Sequence, residues 1–393
     1  MLAAVVLTFV GVALLLYGDC LGIVKAWKGG IHLLRVAFVF GVSHRKRQNV
    51  PVLAAEAGAA PTTTVAFEQI VAVDFRRRGR RRRSASDALR VLTWNIEFGY
   101  CLDDVIAVLA DLSADIVLLQ EVDRFDDREN GGARKDCFEA LARRLEMCGV
   151  WAGHHRYGHG VWGCAILSRF ALSDPRFVRL EALRGYPRGA VSAVAATPLG
   201  PIAVHSLHTE VCCGVGVRIA QFERAMRHGT RAPPLPTVVG GDFNTIGGQL
   251  ASRLFPMHCN DSLRLNVRAF PAGESEAELW QRTLFAPGCH WAHLSDPFEK
   301  RRDVTLRAFA APPLSLLNGA FSAKLDWLLL SDSLRAAAHR VVRSSRSDGA
   351  SDHHPLLCSV VAAHPRAARR SNAKPMKTRS SSSSTSRYLP RGR

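Results

Sequence analysis

The run Gly240-Gly241-Asp242-Phe243-Asn244-Thr245 and the later triplet Ser351-Asp352-His353 hold the residue types in this chain best suited to chemistry. Each sets a carboxylate beside a second hydrogen-bonding side chain, an amide in one and an imidazole in the other. A carboxylate orients water or a cation, and a histidine accepts the proton that water must lose. Such pairs are equipment for hydrolysis at a charged centre such as a phosphoester.

Regular elements must bring these side chains together. Short apolar segments at 91–94, 116–119, 165–167, 191–195, 202–206, 237–239, 326–330 and 356–361 read as strands. Helical spacing is clearest at Val105, Ile106, Leu109 and Leu112, at Phe138, Leu141 and Leu145, and at Ile219, Phe222 and Met226. The mixture predicts two packed β-sheets flanked by helices, a four-layer α/β sandwich, rather than a doubly wound parallel sheet. No glycine-rich phosphate loop or dinucleotide fingerprint follows any of these strands. Asn95, Glu121, His208, Asp242, Asn244, Asp326 and His353 each fall at or just past the end of an apolar strand, where a sandwich gathers distant segments at one edge. Singly, each is an ordinary turn former or edge residue. Their shared position points to a site.

These blocks carry a resemblance. Trp94-Asn95, Leu119-Gln120-Glu121-Val122-Asp123, Gly163 with Ala165-Ile166-Leu167-Ser168-Arg169, Leu207-His208, Gly241-Asp242-Phe243-Asn244, Leu325-Asp326-Trp327 and Ser351-Asp352-His353 occur in the order seen in the endonuclease/exonuclease/phosphatase superfamily, the DNase I-like fold. The chain resembles it over nearly all of residues 91–362. The resemblance implies a hydrolase that cleaves phosphoesters with magnesium, or manganese, as cofactor. It also implies roles: Glu121, helped by Asn95, as the principal metal ligand, with Asp352 adding an oxygen; His353 as general base, held in the right tautomer by Asp326; His208 on the phosphoryl side; and Asp242 with Asn244 orienting the nucleophile and bonding the phosphate. Relatives often have Asn where this chain has Cys164, so a polar contact is missing there or comes from His159 or Tyr157; a small core cysteine is the plainer reading. Arg188 stands where relatives often have a basic residue near the site, and reads as an exposed surface arginine. The Pro-x-Trp-x-Asp-Arg signature of inositol 5-phosphatases is absent around Asp326-Trp327. Superfamily members include nucleases, deadenylases, sphingomyelinases and inositol-phosphate phosphatases, so the fold does not name a substrate.

Composition bounds the rest. With 393 residues, 47% hydrophobic and 22% charged, the chain can bury a large core. The net charge of +18 belongs to the ends: Lys and Arg against Asp and Glu number 14 and 5 over residues 1–90, 29 and 29 over 91–362, and 9 and none over 363–393. A nucleic-acid enzyme concentrates basic residues on its binding face, so a neutral central segment weighs against that class, although a local patch fits inside a zero sum. The ten cysteines offer no zinc-ligand spacing. In a chain this long they favour a reducing compartment, with an oxidising one left open by the even count.

Residues 1–24 carry one charge, Asp19. As a helix they would span about 36 Å at roughly 1.5 Å per residue, enough for a hydrocarbon core of about 30 Å. Lys25, Lys28, Arg35, Arg45, Lys46 and Arg47 follow and none precedes, which predicts an uncleaved single-pass anchor with the domain in the cytoplasm. An unusual signal peptide or a buried core helix has the same apolarity. Residues 25–90 read as a juxtamembrane segment and linker, with seven arginines in 76–83 that would lie against anionic lipid; a nuclear-localisation or nucleic-acid-binding run has the same composition. Residues 91–362 read as one domain and 363–393 as a basic low-complexity tail. Trp280, Trp291 and Phe298, in a long stretch poor in strand pattern, form either a substrate-facing lip or, more simply, core. Three functions are consistent with all this: a membrane-anchored phosphodiesterase acting on a phospholipid head group or another membrane-proximal phosphoester, a tethered nuclease, or a non-catalytic scaffold. The intact set of site residues speaks against the last.

Overall fold

The computed structural model describes residues 68–77, 88–126, 135–157, 160–181, 187–210, 213, 215–245, 276–299, 303–306 and 324–363. The apolar amino-terminal segment and the basic tail lie outside them. Among the described residues no helix is long and apolar enough to cross a membrane.

One sheet runs in the order β1 (Ile70–Asp74), β5 (Cys148–Tyr157), β6 (Gly160–Ser168), β3 (Ile116–Asp126), β2 (Leu89–Asn95), β14 (Leu356–Ala362) and β13 (Leu334–Val341), with β4 (Lys135–Asp136) paired to β3. The other runs β11 (Leu294–Ser295), β12 (Asp326–Ser331), β10 (Thr237–Asp242), β9 (Gly200–His208), β8 (Arg188–Thr197) and β7 (Leu172–Leu180). Both are mixed: β2 and β3 are parallel, as are β9 and β10, amid antiparallel neighbours. Successive strand residues point to opposite faces, and here both faces are covered. Val91, Leu118 and Ile166 meet Val191, Val204, Val238 and Leu328 between the sheets. Leu92, Trp94 and Leu119 point outward, under α1 (Leu102–Leu112) and α2 (Cys137–Arg144). Leu207, Val239 and Leu329 point the other way, against α3 (Val215–Gly229) and α4 (Glu276–Leu284). This is the four-layer α/β sandwich the sequence predicts, and burial on both faces explains why its central strands read as unbroken apolar runs. Trp280, Trp291 and Phe298 are buried, as core.

One boundary is corrected. The segment expected to be linker as far as residue 90 contains β1, which pairs antiparallel with β5 from Ile70↔Ala152 to Asp74↔Cys148. Val71 and Val73 pack on the outer core while Ile70 packs between the sheets. Arg76, which opens the arginine run, is bound to Asp74 at 2.6 Å, and Arg77 to Glu146 at 2.5 Å. A five-residue edge strand beside so many charges is hidden in the composition of the segment, although Ile70–Val73 is itself an unbroken apolar run.

Gly241 fixes how closely the central strands approach. A Cβ built there would lie 2.0 Å from the Leu207 carbonyl oxygen, inside backbone that cannot step aside. We expect Gly241→Ala to lower unfolding stability by about 1–3 kcal/mol, the usual cost of forced overpacking, measured by urea denaturation. An unchanged midpoint would refute this account of the β9–β10 spacing.

Candidate active site

Asp242 closes β10 and is flanked in register by His208 on parallel β9 and Asp326 on antiparallel β12. Because β12 and β14 run against their neighbours, their beginnings lie at the edge where β2, β9 and β10 end. Asn95 thus closes β2 near the Ser351-Asp352-His353 turn that leads into β14. Ser351 Oγ donates to the Asn95 carbonyl at 2.7 Å and accepts from the His353 N–H at 3.1 Å, while Trp94 Nε1 donates to the His353 carbonyl at 2.9 Å. Glu121 arrives by a β-bulge. The β3–β6 register slips between Leu119 and Val122, and Glu121 takes a left-handed φ of 54°. Bulges re-aim side chains in this way.

A short side-chain contact among these residues joins the two sheets. His353 Nδ1 donates to Asp326 Oδ2 at 2.8 Å, and both residues are buried. His353 Nε2 faces Asp242 Oδ2 at 3.9 Å, too far for a direct hydrogen bond. Burial opposes a charge on His353, but the Asp326 and Asp242 carboxylates outweigh it and raise its pKa well above the ordinary imidazole value. Burial would raise Asp242 too, yet His208 and His353 hold it well below the usual carboxylate range. Asp326 is raised by burial, with His353 opposing. Its backbone is pinned by Thr305, whose Oγ1 accepts from the N–H groups of Leu325 and Asp326 at 3.0 Å each.

His208 is neutral. Burial first, and the Arg188 charge second, lower its pKa to about 4 against the pull of Asp242. Arg188 Nη1 donates to His208 Nδ1 at 3.3 Å, which leaves Nε2–H to donate to Asp242 Oδ2 at 3.3 Å. Asn95 Nδ2 donates to the same Asp242 oxygen at 3.1 Å, and its carbonyl accepts from the Glu97 N–H at 3.1 Å. Asn244 bonds inward: its amide donates to the Thr209 carbonyl and its backbone N–H to Asp242 Oδ1, both at 2.9 Å. Asn95 and Asn244 therefore hold Asp242 and its loop in this arrangement.

Glu121 and Asp352, both half-buried, are the remaining carboxylates of the group, Glu121 bonded by Asn95 and Asp352 meeting Ser351 Oγ at 3.4 Å. Burial, then the Asp352 charge, push Glu121 up to about 7, with Arg188, His353 and an Asn95 hydrogen bond opposing. Two carboxylates that repel each other at partial burial suit a hard divalent cation, which takes oxygen ligands and keeps several waters. Asp242, Asp326 and His353 also offer ligand atoms within 4.8 Å of one another. A cation there would take up His353, which is bonded to Asp326 at 2.8 Å, whereas Glu121 and Asp352 leave that pair intact and suit one better.

Arg188 is not the exposed surface residue the sequence suggested. It is 5% exposed, and its guanidinium lies 5.0 Å from the Trp162 ring centre. It opens β8, which runs antiparallel beside β9 with Gly189 opposite His208, so the strand itself turns it inward. Cys164 is core, packed between the sheets, with its Sγ 3.4 Å from the Gly189 carbonyl and 3.8 Å from His154 Nε2. Burial pushes its thiol up. The side chain that takes the polar place beside it is His154, held neutral by burial and then by His208 and Arg188; the side chains of Tyr157 and His159 lie outside the described residues. Neither Thr305 nor His154 stands in a recognisable motif. Arg188 carried a signal in its position just before a strand that pairs with the one ending in His208.

Residues 92–353 match the sequence profile of the Endonuclease/Exonuclease/phosphatase family. Among solved structures, the chain is similar to an endonuclease/exonuclease/phosphatase from Beutenbergia cavernae DSM 12333 at 18% identity, covering 70% of this chain and 72% of that one with a TM-score of 0.48. It is similar to a family protein from Leptotrichia buccalis C-1013-b at 16% identity, covering 70% and 99% with a TM-score of 0.47. The human Nocturnin catalytic domain with bound sulfate shares 18% identity, covering 75% and 97% with a TM-score of 0.46. No curated protein matches the chain.

Proposed function

The chain belongs to the endonuclease/exonuclease/phosphatase family, and from that premise we infer that it is a metal-dependent phosphodiesterase, tethered to a membrane by residues 1–24 with its domain in the cytoplasm. The observation that carries the chemistry is the His353–Asp326 pair at 2.8 Å with Nε2 turned toward Asp242. It is a base held by a carboxylate and facing a second, ionised carboxylate. Glu121 and Asp352 are the residues that would hold magnesium or manganese. When bound, the cation supplies positive charge that stabilises the phosphoryl oxygens.

The chain's own residues divide the remaining work. Asp326 fixes His353 in the tautomer with Nδ1–H, so that Nε2 can take a proton from an attacking water. Asp242 orients that water, and is itself fixed by His208, Asn95 and the Asn244 N–H. Arg188 presents a guanidinium to the phosphate from a buried position, where an anion is felt most strongly. The tether is supported by the sequence alone, through the apolar run and the basic residues after it.

The test is hydrolysis of bis(p-nitrophenyl) phosphate by the full-length protein. Turnover is expected with magnesium and not after chelation, and Arg188→Ala should reduce kcat/KM about ten- to a hundredfold, as loss of a charge-assisted contact of roughly 1.5–3 kcal/mol requires. Absence of cation-dependent turnover would sink the hydrolase reading, and an unaffected Arg188→Ala protein would remove Arg188 from it.

A further inference from the structure

Just beneath the site the interface between the two sheets changes character. Residues facing one way recur at every second position of a strand, so inward-facing side chains stack in layers. Val91, Leu118, Val204 and Val238 form an apolar layer. One step further along the same strands come Thr93, Gln120, Ser206 and Gly240. One step beyond those come Asn95, His208 and Asp242, with Glu121 delivered by the bulge that follows Gln120. The middle layer is polar, yet Thr93, Gln120 and Ser206 are fully buried. Gln120 is its hub. Nε2 donates across the seam to Ser206 Oγ at 3.0 Å, and to Thr93 Oγ1 and the Leu118 carbonyl at 3.3 Å each. Ser206 Oγ in turn donates to the Leu119 carbonyl at 2.8 Å, beside the bulge. Gly240 keeps the layer tight, since a Cβ there would lie 2.8 Å from the Thr93 Cβ and 2.6 Å from Leu118 Cδ1. Stability does not explain the amide. Gln120 Oε1 is buried with no hydrogen-bond partner among the described residues, and an unpaired buried acceptor is a cost that an apolar side chain of the same length would avoid.

Resting on the reading that this site cleaves a phosphoester, we propose that Gln120 is a positioning residue: its amide, bonded to Ser206, sets how one sheet lies on the other, and so sets where Glu121 and His353 stand against His208 and Asp242. Apolar contact is non-directional and lets packed sheets settle by fractions of an ångström. A hydrogen bond holds donor to acceptor within a narrow range of distance and angle. Ser206 stands two residues before His208, Thr93 two before Asn95, and Gln120 next to Glu121. A shift in this layer therefore passes directly to the strand ends that carry the site. Misplacing reacting groups by about 1 Å costs a rate about a hundredfold.

The experiment compares the full-length protein with Gln120→Met, which keeps the length of the side chain and removes the amide, on bis(p-nitrophenyl) phosphate with magnesium. kcat is expected to fall about ten- to a hundredfold with KM within about twofold, while the urea midpoint holds or rises. Ser206→Ala removes the acceptor and should lower kcat similarly. The double variant should lose no more than the larger single loss, because both changes cut one bond. If Gln120→Met does not fold, Ser206→Ala carries the comparison. A kcat within about twofold of wild type, a kcat that falls only together with the midpoint, or single losses that multiply in the double variant overturns the proposal. If the wild-type protein shows no turnover, the hydrolase reading fails and amide hydrogen exchange decides the positioning separately. The Glu121 and Val122 N–H groups should then exchange about tenfold faster in Gln120→Met at an unchanged midpoint, and unaltered exchange overturns the proposal.

Discussion

Replacing His353 by alanine lowers kcat/KM for a phosphodiester by about a hundred- to ten-thousandfold, the range a positioned general base contributes. The residue is buried against Asp326 and makes little of the core, so the melting temperature should change far less than the rate. The pH profile tests the mechanism more sharply. His353 carries a pKa well above the ordinary imidazole value because two carboxylates face it, and only its neutral form can accept a proton. Activity should therefore rise with pH up to that pKa. Asp326→Asn removes one of the negative charges and lets the imidazolium lose its proton more easily, which moves the ascending limb to lower pH. It also loosens the tautomer, so the plateau falls. A plateau that falls with no movement of the limb would show that Asp326 acts on the fold and not on the base.

Cation affinity should depend on pH with a break near 7. Glu121 is raised from its usual 4.5 to about 7 by burial and the Asp352 charge, and a cation must displace that proton. Below the break, each pH unit should weaken apparent magnesium affinity about tenfold; above it, affinity should be level. The same shift governs stability in the absence of metal. A carboxyl that holds its proton more tightly folded than unfolded stabilises the fold at low pH, and that contribution is lost as pH rises from 4.5 through about 7. Magnesium binds the folded state and offsets the loss, so the rise in melting temperature on adding it should be small at acidic pH and larger above neutrality. Glu121→Gln should abolish both the pH dependence and most of the response. A magnesium-induced rise of equal size at all pH values, or one that survives in Glu121→Gln, would place the cation elsewhere.

The elements whose burial is written into consecutive apolar residues were legible in the sequence, and the edges were not. Each of the eight expected strand segments lies within a strand of the structure. β7 was obscured by Pro175 and the bulge between Ser173 and Arg176, features that edge strands tolerate. β13 is mostly exposed and rich in alanine, which has little strand preference. At the site, the residues of Asp-Phe-Asn and Ser-Asp-His could be found because each stands beside another polar group in the chain. What each side chain bonds could not be found that way. That Asn244 turns to the Thr209 carbonyl, that Arg188 is buried on Trp162, and that Thr305 holds the Asp326 backbone all depend on partners far away in the chain.

The reactive atoms straddle a seam. Glu121, Asp352 and His353 come from the sheet containing β2, β3 and β14, while Arg188, His208, Asp242 and Asp326 come from the other, and Gln120 Nε2 is tied to Ser206 Oγ at 3.0 Å just beneath them. The interlock is sequential as well as spatial, because β14 inserts beside β2, one of the earliest strands of the domain. A growing chain carries Glu121 and Arg188, the proposed cation ligand and phosphate contact, long before His353 has been made. Until β14 joins the first sheet beside β2, the proposed base is missing from the site, so on the proposed mechanism cleavage waits for the end of folding.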